Sequence, residues 1–254
     1  MVTILGILAI DVFNLFGSRT YLVENNWERP FFWHHWYLNG GPFEFAQYSF
    51  LGFTALYSAR NAMLGDRINK RFWGVFSIAV LYLLIEDAGD PRHFIRHYVQ
   101  LFVGETYGGQ GVWGTVTELI YFGILGSIPV YAYLRYGHKA LKNYFRSKVF
   151  LLSGFFFYAL AAGSSFIGSA FEAVFENNLY MVVGREIVAI IVNFGGPEVE
   201  AMYTGPRYHS ISYTIMDSPY EESLELIGGT LLLLAAVSFM RTYYAERNNN
   251  KPLY

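Results

Sequence analysis

The stretch Glu86-Asp87-Ala88-Gly89-Asp90-Pro91-Arg92-His93-Phe94-Ile95-Arg96-His97 sets three carboxylates, two guanidiniums and two imidazoles within twelve residues. His93 and His97 stand at i and i+4, a spacing that lets two imidazoles grip one metal from a single helical face. Glu86, Asp87 or Asp90 would complete the ligand set for one divalent ion, zinc or iron, which makes a bound water acidic. Glu222, Glu225 and Glu172 are then the candidates for general acid or base. The same stretch supports the opposite charge logic. Arg92 and Arg96 share the histidine face, and fixed guanidiniums suit a lipid phosphate or another anion better than a cation. A third reading is structural, with the arginines paired to Glu86 and Asp87.

These side chains need an element to carry them. Asp90 followed by Pro91 is an N-cap with proline at the first helical position. Projected at 100° per residue, Arg92, His93, Arg96, His97 and Gln100 fall on one half of a helix over 91–103. Phe94, Ile95, Tyr98, Val99, Leu101 and Phe102 fall on the other. That pattern predicts an amphipathic helix lying in a membrane interface.

Acids recur at other helix ends. Glu44, Glu118 and Glu221 each follow a Pro, Ser or Thr start signal at the position that satisfies orphan N–H groups and complements the helix dipole. Glu86 and Asp87, and again Glu172 and Glu176, close apolar stretches instead, where the dipole opposes negative charge. Those acids require a partner. Glu225 lies a full turn inside the last apolar stretch, and acids within a membrane default to a functional reading.

The solvent for all of this is lipid. Of 254 residues, 54% are hydrophobic, 19% aromatic and only 15% charged, against about 25% charged in soluble domains. Apolar stretches at approximately 43–64, 70–87, 115–134, 149–172 and 222–240 meet or approach the roughly 20 residues a spanning helix needs. A shorter one, 2–17, carries Asp11 and makes a sixth. Segment 179–194 is apolar but holds Arg185-Glu186 at its centre, so it reads as an interfacial or re-entrant helix. Lys and Arg crowd 60–71, 135–148 and the tail, which makes that side cytoplasmic. The expectation is an all-α integral membrane bundle forming a single domain. It has about six spans plus one or two interfacial helices, both termini in the cytoplasm, and one acidic outer face in the cell membrane.

The chain has no cysteine, so disulfides and thiolate metal sites are excluded. No basic aromatic patch suggests nucleic acid. His34 and His35 sit in an aromatic-rich segment, Arg29–Tyr37, that reads as an interfacial belt. Small residues including Gly154 and Gly163 give the fifth span a face for close helix packing.

Gly-Pro-Phe-Glu-Phe-Ala-Gln-Tyr (41–48), Glu-Asp-Ala-Gly-Asp-Pro-Arg-His (86–93) and Glu-Glu-Ser-Leu-Glu-Leu-Ile-Gly (221–228) together resemble a loose set of uncharacterised prokaryotic polytopic membrane proteins. The resemblance implies a multi-pass membrane fold and brings no activity with it. Ceramidase-like hydrolases place a His-x-x-x-His pair in the last span, whereas here the pair follows the third. Three functions follow from the residues. The first is a protein that binds membrane lipid or a partner membrane subunit at its acidic face. The second is a metal-dependent enzyme at the outer leaflet. The third is a proton- or cation-coupled carrier.

Overall fold

A computed structural model describes residues 2–25, 31–37, 41–104, 112–172, 179–204 and 211–249. Among them the fold is helical throughout. The helices are α1 (Val2–Val12), α2 (Ser18–Glu24), α3 (Phe32–Tyr37), α4 (Pro42–Leu64), α5 (Arg67–Gly89), α6 (Pro91–Phe102) and α7 (Val112–Ala132). They continue with α8 (His138–Ala140), α9 (Phe145–Glu172), α10 (Leu179–Thr204), α11 (Ile211–Ile215) and α12 (Glu221–Asn249). Single π-helical turns, Tyr133–Gly137 and Met216–Tyr220, join α7 to α8 and α11 to α12. Among the described residues, five segments are long and apolar enough to cross a membrane: Arg67–Gly89, Val112–Ala140, Phe145–Ile167, Leu179–Pro197 and Ile211–Arg247.

Several elements differ from the sequence expectation. The stretch 2–17 is no single span, because α1 has 11 residues and rises only about 16 Å at 1.5 Å per residue. It ends in a kink where Asn14, Phe16 and Gly17 all take positive φ. The apolar run at 179–194 belongs to a 26-residue helix, bent at Gly196-Pro197. Two start signals also lie inside helices. α7 begins at Val112, so Thr115 does not cap it and Glu118 lies nearly two turns in. Ser218 sits in a π turn continuous with helix on both sides, so Glu221 has no free N-terminus to cap. Asp66, by contrast, is a true N-cap, accepting from the backbone N–H groups of Ile68 and Asn69.

The residues fall into two compact units. Unit 1 comprises residues 1–45 and 163–224, and unit 2 comprises 46–162 and 225–254. Unit 2 is built on a fully buried core of Leu51, Phe72, Trp73, Phe76, Val80, Leu151, Leu232 and Phe239. Its helices are laced by polar bonds onto backbone carbonyls. Ser77 donates to Ala55 O (2.9 Å), Asn61 to Ala236 O (3.0 Å) and Ser147 to Ala235 O (2.8 Å). α9 and α12 approach closely where both carry glycine. A Cβ at Gly154 would fall 2.6 Å from Leu232 Cδ2 and 3.2 Å from Gly228 O. Gly163, expected on the same packing face, has open space beside it.

Unit 1 gathers α1, α2 and α3 with α10, α11 and the turn after it. Phe31 and Trp33 are buried and stack at 5.4 Å, and Phe31 meets Tyr203 edge-on at 4.8 Å. Gly184 lets α10 lie against α11, since a Cβ there would fall 2.4 Å from Ser212 O.

Candidate functional site

The acids that close α5 find their partners in unit 2. Gln47 lies in the second turn of α4 with 1% of its side chain exposed. Its Nε2 donates to Asp87 Oδ2 at 2.7 Å and to Glu225 Oε2 at 2.8 Å, so one buried amide gathers carboxylates from α5 and α12. This orientation of the amide is the one the carboxylates dictate, because the oxygen would face them if it were flipped. Tyr48, the next residue, donates to Asp87 O at 2.8 Å, satisfying one carbonyl of the final turn of α5. Asp87 and Glu225 are half-buried, whereas Gln47 is buried. Glu225 therefore faces protein rather than lipid.

A second set of bonds pins α6. Glu86, 9% exposed, accepts from Tyr121 Oη at 2.5 Å and sits 3.6 Å from Arg92 Nε. The Arg92 guanidinium also covers the Phe122 ring at 4.8 Å. One turn on, Arg96 Nη1 bonds Glu118 Oε1 at 2.7 Å, with the glutamate only 1% exposed. Gln100 is buried another turn along, and Gly114 leaves the room, since a Cβ there would fall 2.7 Å from Gln100 Nε2.

The amphipathic helix is thus present where the sequence puts it, but Arg92, Arg96 and Gln100 of its polar face are turned towards the protein. Phe94, Tyr98, Leu101 and Phe102 are 64%, 68%, 54% and 92% exposed on the other face. In water this arrangement would be inside out. In lipid it is the expected one, because hydrocarbon solvates the phenylalanines and the bundle must satisfy the arginines.

The sequence candidates separate accordingly. Arg92 and Arg96, the expected anion ligands, each carry a carboxylate. The pairing of Arg92 with Glu86 realises the structural alternative. His93 lies on the exposed side with its Nδ1 bonded to Asp90 (2.6 Å to Oδ1), and His97 is half-buried. Asp90 takes positive φ and makes no side-chain cap to α6, so its carboxylate serves His93 instead of the helix N-terminus. Among the described residues no three His, Asp or Glu side chains come together to hold a metal. Glu222 and Glu172 belong to unit 1. Glu222 lies in the first turn of α12, and Glu172 closes α9 with its side chain outside the described residues.

Unit 1 holds a buried acid that the functional reading passed over. Asp11, 2% exposed, accepts the backbone N–H of Phe32 and of Trp33, both at 2.8 Å, and so caps α3 from a distant helix. Arg19 bonds the Asp11 carbonyl at 3.2 Å. Burial pushes the Asp11 carboxyl up to about 6, against the opposing pull of those N–H groups and of Arg19. Trp33 Nε1 donates to Tyr203 Oη at 2.8 Å, and Tyr180 Oη to Glu221 at 2.9 Å. The available signal was a lone aspartate in an eleven-residue apolar helix. No family model matches the chain, and no curated protein or solved structure is similar to it.

Proposed function

We propose that this multi-pass membrane protein binds lipid without catalysis, taking an amine-bearing headgroup at the acid–amide cluster of Gln47, Asp87 and Glu225. The observation that carries this reading is the split of the charges. The arginines are committed to buried Glu86 and Glu118, while two half-buried carboxylates converge on one amide. A cluster rich in acceptor oxygens selects a ligand that donates N–H, so an ammonium headgroup fits where a bare phosphate does not. The outward apolar face of α6 provides the flank along which acyl chains lie.

The threading that agrees with this reading has α4, α5, α7, α9 and α12 crossing the cell membrane. α4 is less apolar than its neighbours, yet it returns through a two-residue turn and bonds α5 through Ser77 and Asp87. The basic stretches 60–71 and 135–148 and the tail then face the cytoplasm. α10 is long enough to cross, but doing so would carry Arg241 and Arg247 to the outside. With α1 too short to cross by itself, the described residues before α4 lie outside in this threading. The natural absence of cysteine makes this directly testable: Thr3→Cys should react with an impermeant maleimide in whole cells, and Asn249→Cys only after lysis. Labelling of Asn249→Cys in intact cells would refute the threading.

The binding reading is tested by native mass spectrometry of the full chain in neutral detergent. Phosphatidylethanolamine should be retained over phosphatidylcholine, whose quaternary ammonium has no N–H to give. Asp87→Asn/Glu225→Gln should abolish that preference. Equal retention of both lipids by the natural protein would reject an amine-selective site.

A further inference from the structure

The opposite end of α5 carries a different assembly, independent of the acid–amide cluster. A cavity of about 280 Å³ in unit 2 is lined by Arg67, Ile68, Arg71, Arg135, Tyr136 and Lys139. Its cations come as two i, i+4 pairs. Arg67 and Arg71 stand on the first turns of α5, Arg135 on the π turn after α7, and Lys139 on α8. The π turn matters to this placement. It holds one extra residue per turn, which swings Arg135 and Tyr136 away from the direction a regular α7 would give them.

Tyr136 organises the wall. The guanidinium carbons of Arg71 and Arg135 lie 6.0 and 5.9 Å from its ring centroid, so one aromatic holds two cations from different segments. No carboxylate lines the cavity. Among the described residues, none of the four cations is paired with an acid. The nearest acid in sequence, Asp66, spends its side chain on the α5 N-terminus, where it accepts from Ile68 N and Asn69 N at 3.1 and 2.8 Å. Four like charges converging on one cavity repel each other unless an anion joins them. Three of the four are arginines, whose planar fork matches phosphate oxygens two at a time. Ile68, 39% exposed, adds an apolar wall to the same cavity.

We infer that this cavity is a binding site for a phosphate-bearing anion. The group is either the headgroup of an anionic lipid or free phosphate. A basic pocket between spanning helices at the end crowded by lysine and arginine is suited to the first, and the second presents the same oxygens.

The test uses the full chain in nanodiscs of phosphatidylcholine, with thermal unfolding as the readout. One arm adds phosphatidylglycerol to the bilayer and another adds inorganic phosphate to the buffer. Arg71→Gln/Arg135→Gln removes the Tyr136-held pair. Arg146→Gln/Lys148→Gln removes the same charge from the start of α9, outside the cavity. Phosphatidylglycerol should stabilise the natural protein and the α9 variant, with apparent affinity at least about tenfold weaker in the cavity variant, as expected for losing a charge-assisted hydrogen bond. Stabilisation by inorganic phosphate that is lost in the same variant would identify the free anion as a ligand of the same site. Equal responses of the two variants, or no response of the natural protein to either anion, would overturn the inference.

Discussion

The two ends of α5 handle charge in opposite ways. At its C-terminal end every arginine that approaches meets a carboxylate from a neighbouring helix: Arg92 meets Glu86, and Arg96 meets Glu118. At its N-terminal end three arginines and a lysine face one cavity with no acid in its wall. The first arrangement is closed by the protein itself, with one partner of each pair 10% exposed or less. The second is open and complete only with something added. Buried ion pairs hold α6 in place, since either charge alone would be costly in a low-dielectric setting. Solvated cations hold nothing in place, so their convergence points outwards, to a ligand. Charge density alone would rank these ends as equals, and burial is what tells a structural network from a receptor.

The sharpest way to break this contrast is Glu118→Gln. The change keeps the shape and leaves Arg96 without its counter-charge, so unfolding in detergent should be easier by about 3 kcal/mol. A loss below about 0.5 kcal/mol would make the pair a surface contact and erase the distinction. Next is Gln47→Leu, which removes the amide shared by Asp87 and Glu225. Two bonds are lost, and at about 1 kcal/mol each inside a membrane bundle the expected loss is about 2 kcal/mol. An unchanged midpoint would mean the two carboxylates hold together without the amide. Tyr121→Phe deletes one bond to Glu86 and should cost about 1 kcal/mol by the same measure.

How much of this was legible beforehand depended on whether a signal was local. The helix predicted over 91–103 is found at Pro91–Phe102, and the stretch predicted at 70–87 is the interior of Arg67–Gly89. Hydropathy and a proline start are properties of a few consecutive residues. The requirement that Glu86 and Asp87 have partners was also visible, because the helix dipole opposes them. Arg92, six residues on, could be named as one partner, but Gln47 and Tyr121 could not, since they lie 40 and 35 residues away. The orientation of α6 escapes the sequence for a different reason. The spacing of polar and apolar residues gives a helix two faces but not its solvent, and lipid reverses which face turns inwards. Thr115 and Ser218 imitated caps because Ser or Thr three residues before Glu also occurs inside helices. There the glutamate of α7 goes to Arg96 and that of α12 to Tyr180. The four-cation cavity needed the π turn at Tyr133–Gly137, which no residue pattern announces.

The smallest effects test the open end. Arg135→Gln in phosphatidylcholine nanodiscs should shift unfolding by no more than about 0.5 kcal/mol, because an exposed charge without a carboxylate partner supports little of the fold. The natural protein should gain about 1.4 kcal/mol when phosphatidylglycerol is raised to about ten times its dissociation constant, by mass action on the folded state. Arg135→Gln should forfeit most of that gain while leaving the Glu118→Gln penalty untouched, since the two positions share no contact and distant effects add. A double variant whose losses failed to add would mean that the closed network and the open cavity are one coupled system, with the state of the basic end transmitted along α5 to the pairs that hold α6.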